Sequence, residues 1–168
     1  MVRVTLGIFI AAVCMSMAYV ALSAASLPDP VATHFGVDGR ANGWMSRQRY
    51  LTVWLAATCV FPCLVTGSIV LITRHAPRLV NIPHRDDWFA PARRKTTIDW
   101  LTRAGLWLGT IAASFLAGLH GVLLMANRAQ PPRLPGFAFL GLTGVFVTVL
   151  LVWTAAYYGR FRRLPRKS

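Results

Sequence analysis

The chain has 168 residues, of which 55% are hydrophobic and only 14% charged, against roughly a quarter charged in an ordinary soluble domain. Its ionisable groups are unbalanced: 18 Lys and Arg face 5 acidic residues, every one of them Asp, for a formal net charge of +13. Intrinsic disorder is excluded by the hydrophobicity, and a secreted disulfide scaffold by a Cys count of 3, too few and odd in number. Such a basic chain either binds nucleic acid or sits in a membrane with basic loops, and the placement of the charges decides.

Four stretches contain no Asp, Lys or Arg: Val4–Pro28, Tyr50–Thr73, Ala104–Asn127 and Leu134–Gly159. Each is longer than the ~20 residues a helix needs to cross a hydrocarbon core. In lipid every backbone amide must be satisfied within its own segment. The expected fold is therefore an all-α integral membrane domain over 1–168, with helices at about 4–26, 50–73, 100–127 and 136–159. The cations supply an orientation. Arg3, the middle-loop Arg74, Arg78, Arg85, Arg93, Arg94, Lys95 and Arg103, and the tail Arg160, Arg162, Arg163, Arg166 and Lys167 fall on the side of the termini. Arg40, Arg47, Arg49, Arg128 and Arg133 fall on the other. An excess of Lys and Arg marks cytoplasmic segments, so both termini are expected inside. The same segments would attract anionic lipid head groups. Nucleic acid is not an expected partner, with no recognition module and only short basic runs.

The first window could be a signal peptide, with Arg3, an apolar run and the small residues Ser23, Ala24 and Ala25. The run is long for that role, and a retained helix is the expectation. The loop that follows is the most distinctive segment. Pro28 and Pro30 stop the first helix and favour an extended path. Val31, Thr33 and Phe35 continue as a short strand-like run. Asp38-Gly39 and Asn42-Gly43 are turn signals, because Gly takes positive φ freely and Asx side chains bond to nearby backbone. Trp44 and Tyr50 suit the membrane–water boundary. Ser46 is placed to cap the second helix.

Leu27-Pro28, His34-Phe35-Gly36, Gly39 and Asn42-Gly43-Trp44-Met45-Ser46-Arg47 resemble the signature of the "domain of unknown function 1648" membrane family over about residues 10–70. That domain also forms the N-terminal part of SdpI-type bacterial toxin-immunity proteins. The resemblance implies motif residues Pro28, His34, Phe35, Gly39, Asn42, Gly43, Trp44 and Ser46, with Asp38 beside them, and a bacterial inner-membrane location. Ala32 stands where such motifs usually have Pro, and Arg47 where Lys is common. In the middle loop, Asn81, Pro83, Trp88, Pro91, Arg93 and Arg94 resemble the corresponding loop of short members, which lack the long extension of the immunity proteins.

The second window carries Pro62, a kink that neighbouring helices must shield, and Cys59 and Cys63 at i, i+4 on one face. With Cys14, Met15 and Met17 these are soft ligands of the kind that select Cu(I), but inert packing is the ordinary role of Cys and Met in an apolar setting. In the middle loop, Asp86 and Asp87 read as a salt-bridged turn rather than an acid–base pair, and Trp88 and Phe89 as anchors at the bilayer surface. From Pro91 an interfacial helix is expected to lie on anionic lipid before turning into the third window, with Ile98, Trp100 and Leu101 on its apolar side and Asp99 on its polar side.

The third window carries a packing stripe: Gly105, Gly109, Ala113, Ala117 and Gly121 recur every fourth residue. Small residues in register let helix backbones approach closely in lipid. The partner is either another helix of this chain or a second copy. His120, beside the stripe, is an imidazole inside a span, and such groups usually face inward and are paired. Two readings stand: a neutral His bonded to a backbone carbonyl or to a hydroxyl such as Ser114 or Thr110, or a metal or polar site built from His34, Asp38 and His120.

No nucleophile–base pair, phosphate-binding Gly loop or HExxH motif is present, and without Glu no mechanism with a Glu base is open. The expected protein is non-enzymatic and without a cofactor. It is an accessory or interaction protein, or a toxin-immunity-like one, working through the 27–47 loop and the third helix, with a second copy or another membrane protein as partner. The alternative is a metal or small-solute binder or carrier using His34, Asp38 and His120.

Overall fold

A computed structural model describes residues 1–163. In chain order it contains α1 (Val2–Ser23), a hairpin of β1 (Val31–Phe35) and β2 (Ala41–Met45), α2 (Arg47–His75), the single turn α3 (Arg85–Trp88), α4 (Arg94–Arg128) and α5 (Gly136–Phe161). Among the described residues α1, α2, α4 and α5 are long and apolar enough to cross a membrane. Their outward faces are apolar, with Val4, Ile10, Leu64, Leu71, Leu140, Val145 and Leu151 all exposed. A surface of that kind belongs in lipid rather than water. Arg166 and Lys167, counted above with the tail, lie outside the described residues.

The helices run past the charge-free windows, because backbone hydrogen bonding does not end where hydrocarbon does. The extreme case is α4, 35 residues without a break and so about 52 Å long, well beyond a hydrocarbon core of about 30 Å. This corrects the expected interfacial helix. The first turns of α4 continue the span along one axis and are covered by the middle loop. Val80, Ile82 and Trp88 pack there with Leu101 and Phe161, the last residue of α5. Thr97 Oγ1 donates to the Trp88 carbonyl at 2.7 Å, and Trp88 meets Phe161 edge to face at 5.2 Å. Trp88 is therefore a buried core residue and not a surface anchor. Asp86 pairs with Arg85 at 2.9 Å, as the salt-bridged turn requires.

In the membrane, α4 is the hub. Its small-residue stripe faces α1 and α2 of the same chain. A Cβ at Gly105 would sit 3.0 Å from Ile69; one at Gly109 would overlap Thr66 Oγ1 and lie 2.7 Å from Phe9 and 3.1 Å from the Pro62 carbonyl. Ala113 is fully buried beside Phe9 and Val13, and a Cβ at Gly121 would approach the Tyr19 hydroxyl. Ala117 is half-buried. Pro62 is buried in this close approach. Hydroxyls bond across the interfaces: Ser16 Oγ to the Ala113 carbonyl at 3.3 Å and Thr66 Oγ1 to the Gly105 carbonyl at 3.2 Å. Helix α5 packs on the other side of α4, through Leu142 over Gly118, Phe146 stacked on Phe115 and Trp153 Nε1 bonded to the Ala104 carbonyl.

Candidate functional site

At the end of the bundle opposite the termini, the 27–47 segment folds into the β1–β2 hairpin. The residues around it divide into those that build it and those it displays. Pro28 and Pro30 lead from α1 into β1. Gly39 turns the tip with φ +77°, a backbone that favours glycine. Asp38 Oδ1 accepts the Arg40 N–H at 3.0 Å, an Asx turn. Asn42 and Gly43 do not form the second turn expected of them. They lie within β2, with Gly43 opposite His34. A Cβ at position 43 would stand 3.0 Å from His34 Cβ and 3.2 Å from its Nδ1, so the absence of a side chain here makes room for the close approach of the imidazole. Phe35 packs inward on the cluster of Ala24, Leu27, Val31, Tyr50, Leu123 and Leu124. Ser46 caps α2, its hydroxyl accepting the Arg49 N–H at 3.3 Å.

Three fastenings hold the hairpin to the bundle. At its base, Arg47 Nη1 donates to the Leu27 carbonyl at 3.2 Å, and the Arg47 N–H donates to Asp29 Oδ1 at 3.3 Å. At its tip, the Leu134 N–H donates to the Gly39 carbonyl at 2.8 Å, and Arg40 and Arg133 are antiparallel bridge partners. Along its outer edge, Asn127 of α4 accepts the Ala32 N–H at 2.8 Å and donates to the Ala32 carbonyl at 2.9 Å. On the surface, His34, Asp38, Arg40, Asn42 and Trp44 are exposed.

Directly beneath lies a buried polar node. His120 is completely enclosed, with Ser23 Oγ 2.8 Å from Nε2 and the Tyr50 hydroxyl 2.7 Å from Nδ1. Tyr19 meets its ring edge to face, and Trp54 packs against it at 5.7 Å. The partners of His120 thus come from α1 and α2, not from Ser114 or Thr110 on its own helix. Tyr50, expected at the bilayer surface, is fully buried instead. Sequence reading missed Tyr50, Ser23 and Asn127 as partners; the available signal for Asn127 was an amide in the last turn of an apolar window.

A serine and a histidine in contact raise the question of nucleophilic catalysis. Ser23 Oγ also donates to the Tyr19 carbonyl. With that bond made, the Nε2–H tautomer of His120 donates to Ser23 Oγ and accepts from the Tyr50 hydroxyl at Nδ1, an arrangement that gives each polar hydrogen of the node a partner. Among the described residues no three His, Cys, Asp or Glu side chains come together in a way that could hold an ion. His34 bonds instead to Thr33 Oγ1 at 3.1 Å and Asp38 to its own turn, so His34, Asp38 and His120 do not converge. Cys14, Cys59 and Cys63 are free thiols.

Residues 9–60 match the family model of a domain of unknown function, DUF1648. The chain carries a DUF1648 domain. No curated protein and no solved structure matches the chain. The DUF1648 domain comprises most of α1, the hairpin and the first half of α2, and it contains Pro28, His34, Phe35, Gly39, Asn42, Gly43, Trp44 and Ser46. His120, Asn127 and the middle-loop residues Asn81, Pro83, Trp88 and Pro91 lie beyond it. Two of the groups that complete the DUF1648 domain, the imidazole inside it and the amide on its β edge, are thus contributed by α4.

Proposed function

We propose that this protein is a non-enzymatic multi-pass protein of the bacterial plasma membrane, with both termini in the cytoplasm, whose hairpin is a recognition platform facing outward. The observation that carries this reading is the rigidity of the hairpin. It is fastened at base, tip and edge, while His34, Asn42 and Trp44 remain exposed on it. A connection that only joined two helices would need none of these fastenings, and residues displayed on a rigid scaffold are the usual means of recognition. The orientation is supported by the excess of cations on the side of the termini. The resemblance to SdpI-type immunity proteins supports a membrane-active peptide or toxin, or the membrane protein it attacks, as the partner.

The test is a deletion strain challenged with a panel of membrane-active peptides and complemented with variants. Loss of the gene should sensitise cells to at least one peptide. His34→Ala and Trp44→Ala proteins, present at normal levels, should fail to restore resistance. Full rescue by both variants would sink the recognition role of the hairpin.

A further inference from the structure

Between the hairpin and the α4–α5 connection lies a cleft of about 760 Å³, lined in part by Arg40, Trp44, Gln130, Pro131 and Arg133. The backbone sets Arg40 and Arg133 opposite each other, and Arg133 Nη2 donates to the Asp38 carbonyl at 3.4 Å. Arg40 and Arg133 are directly opposed bridge partners, so their side chains leave the ladder on the same face, the arrangement in which like charges repel. The chain fixes that arrangement with the bond from the Leu134 N–H to the Gly39 carbonyl at 2.8 Å. One carboxylate stands near. Asp38 lies 3.7 Å from Arg40 Nε, with its Oδ1 also accepting the Arg40 N–H. A single negative charge leaves the pair of arginines with a net positive charge in a concave site.

The height of the cleft in the bundle identifies the anion. It sits where α4 ends at Arg128 and α5 begins at Gly136, level with the ends of two spans. Trp44 and Phe137 are both exposed at this end, as aromatic residues are at a membrane–water boundary. The anionic group abundant at that level is the phosphate of a lipid. We propose that the cleft binds the phosphate of an anionic phospholipid from the leaflet on the hairpin side. Arg40 and Arg133 grip its oxygens as a pair of planar forks, and Trp44 packs against the rest of the head group. This inference rests on the membrane spans and not on the recognition role proposed above, so either can fail alone.

The experiment counts lipids bound to the full-length protein by native mass spectrometry in mild detergent, with phosphatidylglycerol and phosphatidylcholine as probes. The wild-type chain should retain phosphatidylglycerol in preference. Arg40→Gln and Arg133→Gln should each lower its retention about tenfold, whereas Arg49→Gln, which removes an exposed cation of the same end outside the cleft, should leave it unchanged. Equal retention by all three variants, or equal retention of the two lipids, overturns the proposal. Displacement of the lipid by millimolar inorganic phosphate overturns the lipid as the source and marks the cleft as a site for soluble phosphate. Should a Gln variant not fold, Arg40→Lys with Arg133→Lys keeps the charge and removes the forks; a partial loss is expected, and unchanged retention again overturns the proposal.

Discussion

Asn127 holds both the N–H and the C=O of Ala32, at 2.8 and 2.9 Å, as a neighbouring β-strand would. A side-chain amide carries one donor side and one acceptor side, which makes it a one-residue substitute for a strand edge. Replacing Asn127 by Ala leaves two buried backbone groups without partners, at a cost of about 2–4 kcal/mol. Asn127→Asp keeps the acceptor and sets a carboxylate against the Ala32 carbonyl, so it should be no better tolerated. Thermal unfolding measures the loss, and faster proteolysis near Val37 reports the loosened hairpin.

The buried node makes a second prediction. Tyr50→Phe leaves His120 Nδ1 without its donor, and His120→Phe leaves the Tyr50 hydroxyl without its acceptor. Each should destabilise by about 1–3 kcal/mol, and the double variant should cost less than their sum, with a coupling of about 1 kcal/mol or more. Additive losses in a double-mutant cycle would show that the 2.7 Å contact does not operate as a bond.

The glycines of α4 and α5 should behave oppositely. Gly109→Ala places a methyl group against Thr66, Phe9 and the Pro62 carbonyl, and overpacking there should cost about 3 kcal/mol. Gly141→Ala and Gly144→Ala meet nothing within 4 Å. They should stay within about 1 kcal/mol of the parent, on the stabilising side. Because the stripe packs inside the chain, Gly109 variants should unfold the protein rather than merely separate copies of it. Detergent melting curves paired with size-exclusion profiles distinguish the two outcomes.

Orientation is tested by single cysteines in a background lacking Cys14, Cys59 and Cys63. A membrane-impermeant thiol reagent applied to whole cells should label Ala41→Cys, and should label Ala92→Cys only after permeabilisation. The reverse pattern would invert the topology.

The spans were legible because lipid imposes a coarse rule on sequence, and charge-free windows obey it. The ends were less so, since α4 begins at Arg94, well ahead of Arg103, the cation that opens its window. The hairpin was half legible. Val31–Phe35 and the Gly39 turn follow from local chemistry, whereas Gly43 looks like a turn residue and is really an answer to the imbalance of size across the ladder from His34. His120 shows the limit most clearly. A helix read by itself offers only partners one turn away, such as Ser114 and Thr110, and the true partners sit 97 and 70 residues distant in sequence. The small-residue stripe gave a face without a partner for the same reason.

That α4 supplies the groups completing the first two spans has a consequence for biogenesis. Ser23, Tyr50 and Thr66 each bond to α4, so a chain emerging from the ribosome N-terminus first has these hydroxyls in place before their partners exist. The first two spans therefore wait in the bilayer as an unfinished pair, and the third, on insertion, joins them and locks the hairpin in one event.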